Sequence, residues 1–192
     1  MRKTIAGLAA ATMMMTASTA GTAQAQDGED LLTLNTTEGP VVIELFDEDA
    51  PQNVARVKAL AADGAYDNVV FHRVIGGFMA QTGDVQFGDT ENGYNASRTG
   101  MGGSDMPDLP AEFSEIPFKR GVVGMARSQN PDSANSQFFI MFDDAPHLNG
   151  QYTVIGEVVE GMDNVDKIKK GDPAQNGKVS DPDRILSATV SQ

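Results

Sequence analysis

The chemistry open to this chain is narrowed first by what it lacks. It has no cysteine and only two histidines, His72 and His147, far apart in sequence and outside any His-Glu-x-x-His pattern. A zinc site would have almost no ligands to draw on. Asp143-Asp144 and Asp181-Pro182-Asp183 lack the glycine and terminal glutamate of a calcium loop, and Gly100-Met101-Gly102-Gly103 follows no evident strand, as a dinucleotide-binding glycine motif would. Nor does a Gly-x-Ser-x-Gly elbow present a serine nucleophile. What remains is Phe71-His72-Arg73-Val74-Ile75-Gly76-Gly77-Phe78-Met79-Ala80-Gln81. Arg73 there is either a plain surface charge or, with Phe78, Met79 and Gln81 close behind it, the polar edge of an apolar pocket.

The surrounding pattern is that of a β-rich domain. Leu31, Leu32 and Leu34 open an apolar run, Thr37-Glu38-Gly39 reads as a turn, and Val41, Val42, Ile43, Leu45 and Phe46 return as a second strand. Ala50-Pro51 starts a helix in which Val54, Val57, Leu60 and Ala61 recur at helical spacing until Gly64. β-Branched and aromatic residues predict further strands over 69–75, 122–126, 137–142, 153–159 and 185–190, and a second helix over 162–169. Many strands and two helices suggest a closed antiparallel barrel with a helix over each open end. Within strand 69–75, alternation puts Phe71, Arg73 and Ile75 on one face and Val70, His72 and Val74 on the other, which makes His72 a hydrogen-bonded core histidine. Between Val85 and Arg120 the periodicity gives way to scattered glycine and proline, a loop long enough to be functional.

Residues 1–25 have the parts of a secretory signal: Arg2 and Lys3, an apolar stretch too polar and short to span a bilayer, and Ala23-Gln24-Ala25 as a cleavage site. The expected mature chain is therefore a single domain, 26–192, exported to a periplasm, with no membrane anchor. Acidic residues number 27 against 14 basic, for a net charge of −13, which argues against nucleic acid as a partner. The acidity reads as a solvated, repulsive surface.

At the Phe71–Gln81 stretch the chain resembles the cyclophilins, whose signature is Phe-His-Arg-x-Ile…Gly-Phe-Met-x-Gln. Two more blocks agree in order and spacing: Gly121 to Ile140, ending Ser136-Gln137-Phe138-Phe139-Ile140, and Leu148 to Ile168, containing Gly150-Gln151-Tyr152-Thr153-Val154-Ile155-Gly156 and Gly161-Met162-Asp163. The resemblance runs from about Leu31 to Ile168. It implies a mainly β, closed eight-stranded antiparallel barrel with two capping helices, no cofactor, and cis/trans isomerisation of X-Pro bonds in proline-containing polypeptides; the expected substrates are unfolded or folding exported proteins, no metal is expected, and a monomer is the expected state although the sequence does not fix it.

Carried over residue by residue, the resemblance makes Arg73 the catalytic arginine, with Gln81 as its polar partner and Phe78 beside it. Met79, Phe139 and Leu148 complete the proline pocket, with Tyr152 where many relatives have histidine. Ala126 and Arg127 match the strand along the substrate backbone, Gln137 a groove residue, and Gly100 the flanking glycine-rich loop. Alternation assigns Phe139 to the groove and leaves Phe138 and Phe142 to the interior. The chain departs from the pattern at His147, where animal relatives have tryptophan, at Thr82 in place of glycine, and in extra residues around Tyr94 to Arg98. These departures bear on inhibitor affinity and substrate preference. A barrel that only binds proline-containing segments, or one that carries a small molecule inside, is the rival reading; retention of Arg73, Phe78 and Gln81 favours an enzyme.

Overall fold

The computed structural model describes residues 30–191; the expected signal, residues 1–25, lies outside them. The elements in chain order are β1 (Leu31–Thr36), β2 (Gly39–Leu45), α1 (Pro51–Ala62), β3 (Arg73–Ile75), β4 (Met79–Thr82), β5 (Val122–Met125), β6 (Phe138–Met141), β7 (Val154–Glu160), α2 (Met162–Lys167) and β8 (Ile185–Ser191). Short 3₁₀ turns lie at Pro146–Leu148 and Pro173–Gln175.

All eight strands belong to one antiparallel sheet in the order β3-β4-β6-β5-β7-β2-β1-β8. The sheet curls until its edges approach, but β3 and β8 share no ladder. Single bridges, Val70 to Arg184 and Arg73 to Lys178, cross the seam. The expected closed barrel is thus a curled, incompletely closed one. The reason is the short β3: residues 69–72, expected as strand, are extended chain held by isolated bonds, such as Phe71 N–H to the Asp183 carbonyl at 2.8 Å.

Alternation along the strands fills the interior. Leu32, Leu34, Ile43, Phe71, Val74, Phe138, Ile140 and Ile155 are all fully buried in one cluster, so the inside is packed side chain. Helix α1 adds Val54, Val57, Leu60 and Ala61 to this core, and the α2 region adds Val165 and Ile168. Ala50 supplies no side-chain cap to α1. Glu112, from the long loop, does so instead: its carboxylate accepts the Gln52 N–H at 3.1 Å and the Asn53 N–H at 3.0 Å. The 85–120 loop is therefore tied to the body of the domain even where it lacks strands.

A second apolar cluster lies on the outer wall. Met79, Phe118, Val122, Phe139, Met141, Ala145, Leu148 and Val154 form it, with Phe78, Ala126 and Tyr152 packed at its margin. A wall with apolar residues on both faces explains why β5 and β6 are buried at every position.

Candidate active site

The site is a row across four neighbouring strands. Arg73 on β3 pairs with Gln81 on β4, Gln81 with Phe139 on β6, and Phe139 with Gly124 on β5. Residues in one register row share a face, and this row faces outward, since Ala80 and Thr82 on either side of Gln81 are buried. Strand β4 was not expected from the sequence as an element. Its four residues are flanked by Gly76-Gly77 and Gly83 and are too few to show a period.

Beside the row is a pocket of about 170 Å³ lined by Arg73, Phe78, Met79, Gln81, Ala126, Arg127, Phe139, Leu148 and Tyr152. Nine of the eleven residues singled out from the sequence meet there. The other two, Gly100 and Gln137, line an adjoining groove of about 600 Å³, which shares Gln81, Ala126 and Arg127 with the pocket. The pocket floor is aromatic: Phe139 stands edge-on to Tyr152 with centroids 5.7 Å apart and is stacked on Phe118 at 5.8 Å. Arg127 lies over the Tyr152 ring at 4.4 Å and donates to the Gln151 carbonyl. At the rim Phe78 stacks on His147 at 5.8 Å, so His147 does sit beside the pocket.

The guanidinium of Arg73 is held from two sides. Its Nη1 donates to Gln81 Oε1 at 3.2 Å; its Nε donates to the Asn176 carbonyl and its Nη2 to Asn176 Oδ1, both at 3.1 Å. Three of its five N–H groups are thereby engaged. Nη1 also lies 4.0 Å from Met79 Sδ, so its remaining hydrogen is directed at the pocket lining. Partial burial lowers the pKa of Arg73 while the Tyr152 phenol raises it; arginine starts so high that the group stays cationic.

Asn176 and Phe118 were missed from the sequence. Phe118 carried no periodic signal inside the long loop. Asn176 is more than a hundred residues from Arg73, but Asn-Gly at 176–177 is a turn signal, and Asn176 does take a left-handed conformation, with φ 54°.

His72 differs from expectation. It is buried, at 8% exposed, yet Phe71, expected with Arg73 on the opposite face, is itself in the barrel core; the alternation breaks because the ladder begins only at Arg73. Neither ring nitrogen makes a hydrogen bond of good geometry, but the Val70 carbonyl and the Gln137 side chain lie close enough to act on the ring as acceptors. The ring lies under Gly100, where a Cβ would come within 3.0 Å of Cδ2 and where φ is +96°; glycine alone meets both demands. Desolvation lowers the His72 pKa to about 4, against the pull of Asp84, the Val70 carbonyl and the Gln137 amide, and with the help of nearby Arg73. Thr82 is buried and donates to the Val70 carbonyl at 3.0 Å.

Among the described residues no three His, Asp or Glu side chains converge on a metal-sized site, and no helix is long and apolar enough to cross a membrane. The pocket offers the Arg73 and Arg127 cations, the Gln81 amide, the Tyr152 phenol and an apolar hollow, with no carboxylate or imidazole in its lining.

The model of one family, cyclophilin type peptidyl-prolyl cis-trans isomerase, matches residues 31–190. A probable peptidyl-prolyl cis-trans isomerase of Brucella suis is 60% identical over 182 residues, covering 95% of this chain and 93% of its own. A peptidyl-prolyl cis-trans isomerase of Helicobacter pylori is 41% identical over 144 residues, covering 73% and 80%. Among solved structures, a Cryptosporidium parvum cyclophilin type isomerase determined in the presence of the dipeptide Ala-Pro has a TM-score of 0.71 at 28% identity, over 84% of this chain and 99% of that one.

Proposed function

The chain belongs to the cyclophilin-type peptidyl-prolyl cis-trans isomerase family and is an enzyme of that activity, and from that premise we propose that Arg73 stabilises the twisted prolyl transition state. The observation that supports this most is the aim of Arg73: three N–H groups tie it to Gln81 and Asn176, while Nη1 faces the pocket at Met79.

An X-Pro bond rotates against a barrier of about 18–20 kcal/mol held by amide resonance. As the bond twists, the prolyl nitrogen loses conjugation and gains lone-pair character. A donor directed at that nitrogen binds the twisted state better than either planar one. No bond is broken and no proton need move. The Phe78, Met79, Phe139 and Leu148 side chains hold the ring and exclude water, which strengthens the donor. Ala126, Arg127, Gln137 and Gly100 line the run of wall along which the residues before proline extend. The Ala-Pro dipeptide named with the Cryptosporidium relative supports a proline-containing ligand.

The proposed setting is a periplasm. Residues 1–25 act as the signal, 26–192 form the working domain, and a monomer assists the folding of exported chains, with no nucleic acid and no membrane anchor. The test of the catalytic assignment is isomerisation of an Ala-Pro peptide by Arg73→Ala and Arg73→Lys. Loss of one preorganised donor lowers the rate by about 10² to 10³, and lysine, lacking the planar fork, restores little of it. The unfolding midpoint stays near wild type because no core cavity forms. Near-normal activity in Arg73→Ala, or loss of activity only through unfolding, would sink the assignment.

A further inference from the structure

The hydrogen-bond chain that reaches Arg73 does not end at Gln81. An arginine only donates, so Gln81 must turn Oε1 towards it. Its amide nitrogen then faces Gln137 and donates to Gln137 Oε1 at 2.9 Å. Gln137 is left with its own amide nitrogen, which donates to the Gly102 carbonyl at 2.8 Å. Every link runs in one direction and is dictated by the cation at its head. The chain is therefore only as well placed as its terminal acceptor.

That acceptor lies on the glycine-rich loop, which has no ladder to hold it. At Gly102 itself it is held by Asp84, fully buried, while two residues on, Asn135 Oδ1 accepts the Ser104 N–H at 2.7 Å. One carboxylate oxygen accepts the amides of Gln86 at 3.1 Å and Phe87 at 2.9 Å; the other accepts those of Gly100 at 2.6 Å and Gly102 at 3.0 Å. Four amides from both limbs of the loop thus converge on one side chain. Gly102 can come this close because it has no side chain: a Cβ there would overlap Asp84 Oδ1 and stand 2.8 Å from Gln86 Cβ.

We propose that Asp84 is a positioning residue for the isomerisation: it fixes Gly102, and through Gln137 and Gln81 sets the orientation of the Arg73 guanidinium. The role rests on the reading of Arg73 as the transition-state donor. Asp84 touches no substrate. It acts by keeping the arginine aimed, so its removal costs rate and not affinity for a short peptide.

The experiment is a double-mutant cycle on the purified protein, with kcat and KM for an Ala-Pro peptide and a thermal melt for each variant. Asp84→Asn keeps the shape but replaces one acceptor oxygen by a donor, which repels amide hydrogens. The expected result is a fall in kcat of about tenfold, short of the roughly 10² that a full ångström of misplacement can cost, with KM within about twofold of wild type. In an Arg73→Ala background the same change should alter the rate by less than about twofold, because the group it aims is gone. Should Asp84→Asn fail to fold, Gly102→Ala carries the same cycle, since it dislodges the clasp and leaves the carboxylate in place. Equal losses in both backgrounds, with Arg73→Ala itself slow, would overturn the positioning role alone. Full activity in a folded Asp84→Asn would do the same. Near-normal activity in Arg73→Ala would instead overturn the arginine reading on which the role depends.

Discussion

Mild acid should weaken this fold through His72, and the size of the effect follows from its burial. The ring is only 8% exposed and its folded pKa is lowered to about 4, first by desolvation, whereas in the unfolded chain it titrates near 6.5. Below pH 6.5 the unfolded chain takes up a proton that the folded one refuses, so stability rises with pH across that window. The contribution is complete above the unfolded pKa and drains away as pH falls from 6.5 towards 4. With a folded value of about 4, the loss between pH 8 and pH 5 is about 2 kcal/mol, and by pH 4 about 3 kcal/mol. Carboxylates also titrate at this end, so the measurement must be differential. Urea unfolding of wild type and His72→Leu, at pH 8 and pH 5, isolates the histidine. Whatever the leucine costs at pH 8, the gap between the two proteins should shift by about 2 kcal/mol in favour of the variant at pH 5. Parallel pH profiles would refute the reasoning, as would an imidazole titration by NMR centred near 6.5. There is a functional side to the same number: a neutral His72 at pH 7 spares Arg73 a second cation beside it, and Arg73 is among the causes that lower the His72 pKa.

The other predictions are simpler. Phe139 is buried against Phe118 and Tyr152, so Phe139→Ala should lose about 3 kcal/mol of stability in a denaturant titration as well as peptide binding; loss of one without the other would separate the pocket from the sheet. Asn176→Gly removes the Oδ1 acceptor on Nη2 while its φ of 54° suits glycine, so kcat should fall by roughly fivefold, the worth of about one hydrogen bond, with no drop in melting temperature. A melt lowered along with the rate would mean the turn, not the contact, was damaged. Mass spectrometry of the exported protein should give Gln26 as the first residue, and an intact Met1 species in the native host's cytoplasm would contradict export.

The sequence spoke clearly wherever one face of an element is buried. The β1–β2 hairpin and α1 follow from Leu32, Leu34, Val41, Ile43 and the Val54-Val57-Leu60 spacing, because an interior packed on one side imposes a period. It was ambiguous at residues 69–72, where bonds to Asp183 and Gly88 replace a ladder and the alternation inferred for Phe71 and His72 fails. It was silent on β4, too short to carry a pattern and legible only as part of a motif. Among the site residues, those within one motif block, such as Arg73 with Gln81, are paired by the family resemblance. Phe118 and Asn176 are not, for they reach the site by chain closure that no local rule reports, and Asp84, though only three residues past Gln81, acts through Gly100 and Gly102 on the far limb of a loop that has no period.

These residues divide by the kind of precision they supply. Position along and across the wall is set by register: Arg73, Gln81, Phe139 and Gly124 lie abreast because three ladders hold them so, and a one-residue slip of β4 would turn Gln81 inward and Ala80 or Thr82 outward. Register does not decide which way an amide is flipped or how a guanidinium is rotated about its own stem. Those are fixed by groups from outside the row, Asn176 on one side of Arg73 and the clasp of Asp84 behind Gly102 on the other. The sheet alone would place a cation beside the pocket. On the mechanism proposed for Arg73, a catalyst that makes no bond and moves no proton depends on the direction of one donor, and the contacts from the long loop and the Asn176 turn are the ones placed to set it.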